Sequence, residues 1–138
     1  MAEKPKILFL CVANSCRSQM AEAMAKAVAG GACEIWSAGS HPSGQVHPVA
    51  AQMMAELGLS LAGHVSKGPE ALPPGPWDVV VTMGCGDACG VTSARQRLDW
   101  PIPDPVGKSP AEARVVRDDL QRRVQALLAT LGVGRPAS

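Results

Sequence analysis

Two short apolar runs constrain this chain most: KILFLC (Lys6 to Cys11) and WDVVVTM (Trp77 to Met83). Each has the length and apolar continuity of a strand buried on both faces, and segments with helical spacing lie between and after them. CEIWSAG (Cys33 to Gly39) reads as a further strand, and RLDWPI (Arg97 to Ile102) as a short fourth. Ser18 to about Val28 reads as a helix with Met20, Met24, Ala27 and Val28 on one face. Pro48 to Leu57 reads as a second helix, opened by its proline and ended by Gly58. The strongest helical signal is SPAEARVVRDDLQRRVQALLATLG. There Ser109 caps, Pro110 fits the first position and Glu112 completes a capping box. Val116, Leu120, Val124, Leu127 and Leu131 form the apolar stripe, and Gly132 stops it. Strands alternating with helices predict an α/β fold, a parallel sheet covered on both faces.

A chain of 138 residues fits one domain, 1–138, with a flexible tail over 133–138. The net charge of +1 gives no electrostatic pull toward nucleic acid or membrane. No apolar run approaches the length of a membrane span. The N-terminal apolar stretch lacks the length and cleavage site of a signal peptide, so it reads as the first strand of a cytoplasmic protein, expected to act as a monomer. In that setting five cysteines, an odd number, point to reactive thiols rather than a disulfide framework.

Ligand sites of parallel sheets lie beyond the carboxyl ends of the strands, beside helix N-termini. Cys11 ends the first strand there. The following residues, Val12, Ala13, Asn14, Ser15 and Cys16, form a loop whose N–H groups can line a nest for a tetrahedral oxyanion, backed by the next helix's dipole. Arg17 adds a planar fork for two oxygens. The same field favours a thiolate at Cys11, making it a nucleophile, and Ser18 can donate a hydrogen bond to it. The competing reading is a buried cysteine ending a core strand, with Arg17 solvated.

CVANSCRSQMAEA, SAG at Ser37 to Gly39, VVVTMGCGDAC and the Asp104–Pro105 pair together resemble the arsenate reductases built on the low-molecular-weight tyrosine phosphatase fold. The resemblance runs from about residue 5 to 131. It implies a four-stranded parallel sheet and reduction of arsenate to arsenite with no bound metal or flavin, and with an external thiol reductant such as thioredoxin or a related redoxin. It also implies that Cys11 is the nucleophile, Cys85 the first resolving thiol, Cys89 the final partner and Asp104 the general acid. Some relatives bind potassium beside the loop through positions matching Asn14, Glu22, Ser37 and an aspartate. Here Lys67 stands at the aspartate's place, where its ammonium can pair with Glu22.

Cys85 and Cys89 are four apart, so one helical turn would bring them together, and flanking glycines permit movement. Their alternative is half of a zinc site, which needs two more ligands. Cys16 is a second candidate resolver, Asp99 rivals Asp104, and Cys33 is expected in the core. His41, His47 and His64 read as surface or capping residues, and Met53 and Met54 as core. Two other functions use the same residues: a phosphomonoester phosphatase, for which a chain with no Tyr, one Phe and three Trp has few aromatics to grip a phenyl ring, and a redox- or arsenic-sensing module.

Overall fold

The computed structural model describes residues 4–73, 75–83 and 94–133. In order, the elements are β1 (Lys6–Cys11), α1 (Arg17–Ala29), β2 (Glu34–Gly39), α2 (Pro48–Ala55), a 3-10 turn (Pro69–Ala71), β3 (Trp77–Met83), β4 (Ala94–Asp99) and α3 (Pro110–Thr130). All strand pairs are parallel and the spatial order is β2-β1-β3-β4. This is the expected four-stranded parallel sheet.

β1 and β3 are apolar through their middles, Ile7 to Leu10 and Val79 to Val81, because they are the central strands. Ile7, Leu8, Phe9 and Leu10 are all fully buried, so both faces of the sheet are covered. The two-residue alternation splits them. Ile7 and Phe9 share a cluster with Met20 and Met24 of α1, Met53 and Met54 of α2, and Leu120 and Val124 of α3. Leu8 and Leu10 join Ala38 and Val80 on the opposite face, where Trp36 and Leu72 pack against them. Among the described residues no helix is long and apolar enough to cross a membrane.

The α3 prediction holds in detail. Ser109 Oγ accepts from the Glu112 N–H, and Glu112 returns a carboxylate to the Ser109 N–H. The predicted stripe is buried from Val116 to Leu127, with Leu131 partly so.

Five expectations need correction. β4 is Ala94–Asp99 rather than 97–102, because as an edge strand it exposes Arg95, Gln96 and Arg97 and carries no apolar run. α2 stops at Ala55, short of Leu57. Ala27 is exposed: the buried face of α1 runs through Met20, Ala21, Met24 and Ala25. Cys33 precedes β2 and is only partly buried against the core, not within it. Val133, expected to open the tail, donates its N–H to Leu128 O and packs on the core. Residues 134–138 lie outside the described residues.

Candidate functional site

The loop from Val12 to Cys16 joins the carboxyl end of β1 to α1. β2 lies directly beneath it. A Cβ on Gly39 would stand 2.5 Å from Val12 O and 2.7 Å from the Asn14 nitrogen, so only glycine allows the loop to cross there. Asn14 turns the chain with φ +49°, a left-handed conformation that asparagine tolerates better than most residues.

What orients the loop is the destination of its carbonyls. Val12 O accepts from the His41 N–H at 2.8 Å, and Ser15 O from the His47 N–H at 2.8 Å. Ala13 O accepts from the Ser43 N–H and from the Ser66 hydroxyl, at 3.1 and 2.7 Å. Asn14 O accepts from the Gln19 amide at 3.1 Å, and Cys16 O from the Met20 N–H at 2.9 Å. Consecutive carbonyls tied to the loop's surroundings leave its N–H groups for a ligand, the arrangement of an anion nest. Cys16, the N-cap of α1, provides no side-chain cap, so the first-turn N–H groups lack a side-chain acceptor.

A pocket of about 140 Å³ sits over the loop, lined by Cys11, Val12, Ala13, Ser15, Cys16, Arg17 and Asp104. Of the two candidate acids, Asp104 is therefore the one at the pocket. Asp99 instead accepts from the Thr82 hydroxyl at 2.9 Å. Asp104 also closes a turn, accepting from the Val106 N–H at 3.0 Å. Arg17 donates Nη1 to Ile102 O at 3.1 Å, which ties the loop's guanidinium to the segment bearing Asp104.

Cys11 is 2% exposed, and its Sγ lies 2.9 Å from Ser18 Oγ. Ser18 accepts from Asn14 Nδ2 at 2.7 Å, and the same amide reaches Ser37 Oγ at 3.0 Å. Ser37 donates to Glu22 Oε1. Glu22 also meets Lys26 Nζ at 2.6 Å and Lys67 Nζ at 3.9 Å. Asn14, Glu22, Ser37 and Lys67 are thus brought together behind the loop. Lys67 contributes twice, since its backbone N–H donates to Asn14 Oδ1 at 2.9 Å. Burial pushes the Lys67 ammonium below the usual lysine range, against the pull of Glu22. Cys16 has a different environment from Cys11. Burial first, then the charges of Asp104 and Cys11, push its thiol up to about 12, so it stays protonated at neutral pH.

His47 accepts from the Val49 N–H and caps α2, and His41 is exposed, both as expected. Half-buried His64 bonds through Nδ1 to Gln19 Oε1 at 2.9 Å. Cys85 and Cys89 lie outside the described residues; Met83, two residues before Cys85, stands opposite Cys11 in the β1–β3 register. Among the described residues no group of three or more His, Cys, Asp or Glu side chains is placed to hold a metal. The sequence reading missed Gln19, Lys26, Ser66 and the backbone donors of His41, Ser43 and His47. Ser66 sits beside the singled-out Lys67, the one nearby signal; backbone donors carry none.

A family model described as low molecular weight phosphotyrosine protein phosphatase matches residues 6–136. The glutaredoxin arsenate reductase of Synechocystis sp. is 38% identical over 129 residues, 91% of this chain and 98% of the relative. The arsenate reductase of Brevibacillus brevis is 37% identical, over 94% and 98% of the two chains. A solved arsenate reductase in a phosphate-binding state superposes with TM-score 0.80 at 36% identity, covering 91% and 98% of the two chains. The thioredoxin-dependent arsenate reductase of Corynebacterium glutamicum gives 0.76 at 29% identity, covering 95% of this chain and 63% of that one.

Proposed function

The chain belongs to the low molecular weight phosphotyrosine protein phosphatase family, and from that premise we propose that it is an arsenate reductase working through Cys11, Cys85 and Cys89. One observation carries the reading: Cys11, Arg17 and Asp104 line one pocket of about 140 Å³ over a loop whose carbonyls are tied elsewhere, in a chain whose curated relatives are named arsenate reductases.

Arsenate binds in the nest of Val12, Ala13, Asn14, Ser15 and Cys16 N–H groups, and Arg17 pairs with two of its oxygens. The Cys11 thiolate, held by Ser18, attacks arsenic. An As–O bond breaks, and Asp104 delivers the proton that lets the oxygen leave as water. Cys85 thiolate then attacks the Cys11 sulfur. A Cys11–Cys85 disulfide forms, the S–As bond breaks and its electron pair goes to arsenic, giving arsenite. Two thiols are oxidised and arsenic falls from V to III. Cys89 next attacks Cys85, frees Cys11 and leaves a Cys85–Cys89 disulfide for an external thiol reductant. Covalent distance supports the order, since Cys85 follows by two residues the one paired with Cys11. Asn14, Glu22, Ser37 and Lys67 hold the loop. The reaction needs no bound cofactor, and the setting is the cytoplasm.

The test is NADPH consumption with arsenate and either thioredoxin plus its reductase or a glutathione–glutaredoxin system. A mycothiol-linked redoxin is the third arm; arsenite formation with one of the three is expected, and none with any of them overturns the reading. Cys89→Ser, mixed with arsenate, should release one arsenite per chain and hold a Cys11–Cys85 disulfide by mass spectrometry. The pocket equally suits a phosphomonoester, so hydrolysis of p-nitrophenyl phosphate without arsenite formation would favour a phosphatase.

A further inference from the structure

Gln19 is fully buried and belongs to none of the chemical steps above. Its amide nitrogen faces three oxygens: Asn14 O at 3.1 Å, Asn14 Oδ1 at 3.1 Å and Val65 O at 2.9 Å. Two of these are backbone carbonyls, which only accept. The reversed amide would set Oε1 against both of them, so Gln19 has one orientation. Its Oε1 then receives His64 Nδ1.

That orientation propagates. The Gln19 N–H and the Lys67 backbone N–H together make Asn14 Oδ1 the accepting side. The Asn14 amide nitrogen must therefore point at Ser18 and Ser37 and donate to both. Each hydroxyl, having accepted, has its own proton left for an anion. Ser37 gives its proton to the Glu22 carboxylate, and Ser18 faces the Cys11 sulfur. Every link from His64 through Gln19, Asn14 and Ser18 donates in one direction, toward the sulfur.

We infer that Gln19 is a positioning residue that fixes the donor direction of this chain, so that Ser18 donates to Cys11 when the sulfur is ionised. The inference rests on Cys11 being the nucleophile. The charged and titratable groups around the sulfur are Cys16, Arg17 and Asp104, and those near the chain's outer end are His64 itself, Glu22, Lys26 and Lys67. They are unchanged in the variants below.

The experiment is the pH profile of iodoacetamide alkylation at Cys11 in fully reduced protein, in buffer free of oxyanions, with the modified residue located by tandem mass spectrometry. Ser18→Ala should move the midpoint to higher pH by about one unit, the scale of one hydrogen bond to an ionised group. Gln19→Met should move it the same way by roughly half a unit, because Lys67 still holds Asn14 Oδ1. The double variant should match Ser18→Ala alone, since both act through one bond. A Gln19→Met profile with an unmoved midpoint, or fully additive shifts in the double variant, overturns the inference. Should Gln19→Met fail to fold, NMR of the wild type decides. The Gln19 side-chain amide resonances should titrate with Cys11 ionisation and cease to do so in Ser18→Ala; resonances indifferent to Cys11 overturn it. Arsenate is absent from these measurements, so a failed reductase assay and a failed Gln19 test are separate results.

Discussion

Helix α3 and the Cys11 loop are built by opposite means. α3 carries its instructions within itself: the Ser109–Glu112 box opens it, and Val116, Leu120 and Val124 repeat along one face. The loop carries almost none. Its carbonyls are held by residues 41–47, by Ser66 and by Gln19, and its central asparagine by Lys67, partners up to 53 residues away. A helix can be specified locally because its hydrogen bonds are its own. A nest that keeps its N–H groups for a ligand must export its carbonyls, and the acceptors' partners have to come from elsewhere in the fold.

The comparison breaks most visibly at Cys11. Cys11→Ser should abolish arsenate turnover, a fall of at least about a thousandfold, while the melting temperature stays near that of the wild type. Turnover within a few fold of the wild type would remove the loop from the chemistry. Leu120→Ala is the converse case. Leu120 is fully buried, so truncation should cost about 2–5 kcal/mol by denaturant unfolding, with turnover per folded molecule unchanged. Gly39→Ala touches both properties, because its Cβ meets loop backbone at 2.5 Å rather than a flexible side chain. A loss of about 1–3 kcal/mol is expected, accompanied by a disproportionate fall in kcat/KM. Loss of stability alone would show that the loop re-forms above the added methyl.

The smallest effect tests how α3 is joined to its neighbours. Glu56, at the end of α2, bonds Arg114 and Arg117 of α3, and these bonds hold its carboxyl down from its ordinary 4.5 to about 2. A depressed carboxylate stabilises the fold above its unfolded value and loses that contribution as pH falls toward its folded one. Wild type should therefore lose more stability than Glu56→Gln between about pH 4.5 and 2. The side chain is partly exposed, so salt should shrink the difference. Parallel acid-unfolding curves for the two proteins would show that the pair adds nothing.

The same division explains what could be read in the residues beforehand. β1, β3 and α3 were legible because burial on two faces, or on one stripe, imposes a pattern on composition. β4 was placed three residues late because an edge strand needs no such pattern. At the site, Cys11, Arg17 and Ser18 could be singled out by type and spacing and Asp104 by the family resemblance, and the fold brings Cys11, Arg17 and Asp104 to one pocket with Ser18 against the Cys11 sulfur. Gln19 was not legible. A glutamine on a helix looks like a solvated residue until the carbonyls of Asn14 and Val65 are brought against it. His41 and Ser43 act through their backbone N–H groups, which every non-proline residue possesses and no sequence pattern marks.

The outward-tied carbonyls also set a timetable. During synthesis Cys11 and its loop leave the ribosome early, yet Ser66, Lys67 and the Ile102 carbonyl that receives Arg17 are translated far later. The first 47 residues already contain β2 and the donors at His41, Ser43 and His47, but not Ser66, Lys67, Ile102 or the β3 partner of β1, so the nest is incomplete there. It comes into being only when distant stretches of chain close on one another, a step governed by sequence separation rather than by local propensity. The loop's residues are among the first to be made, and the partners that complete its bonding are made tens of residues later.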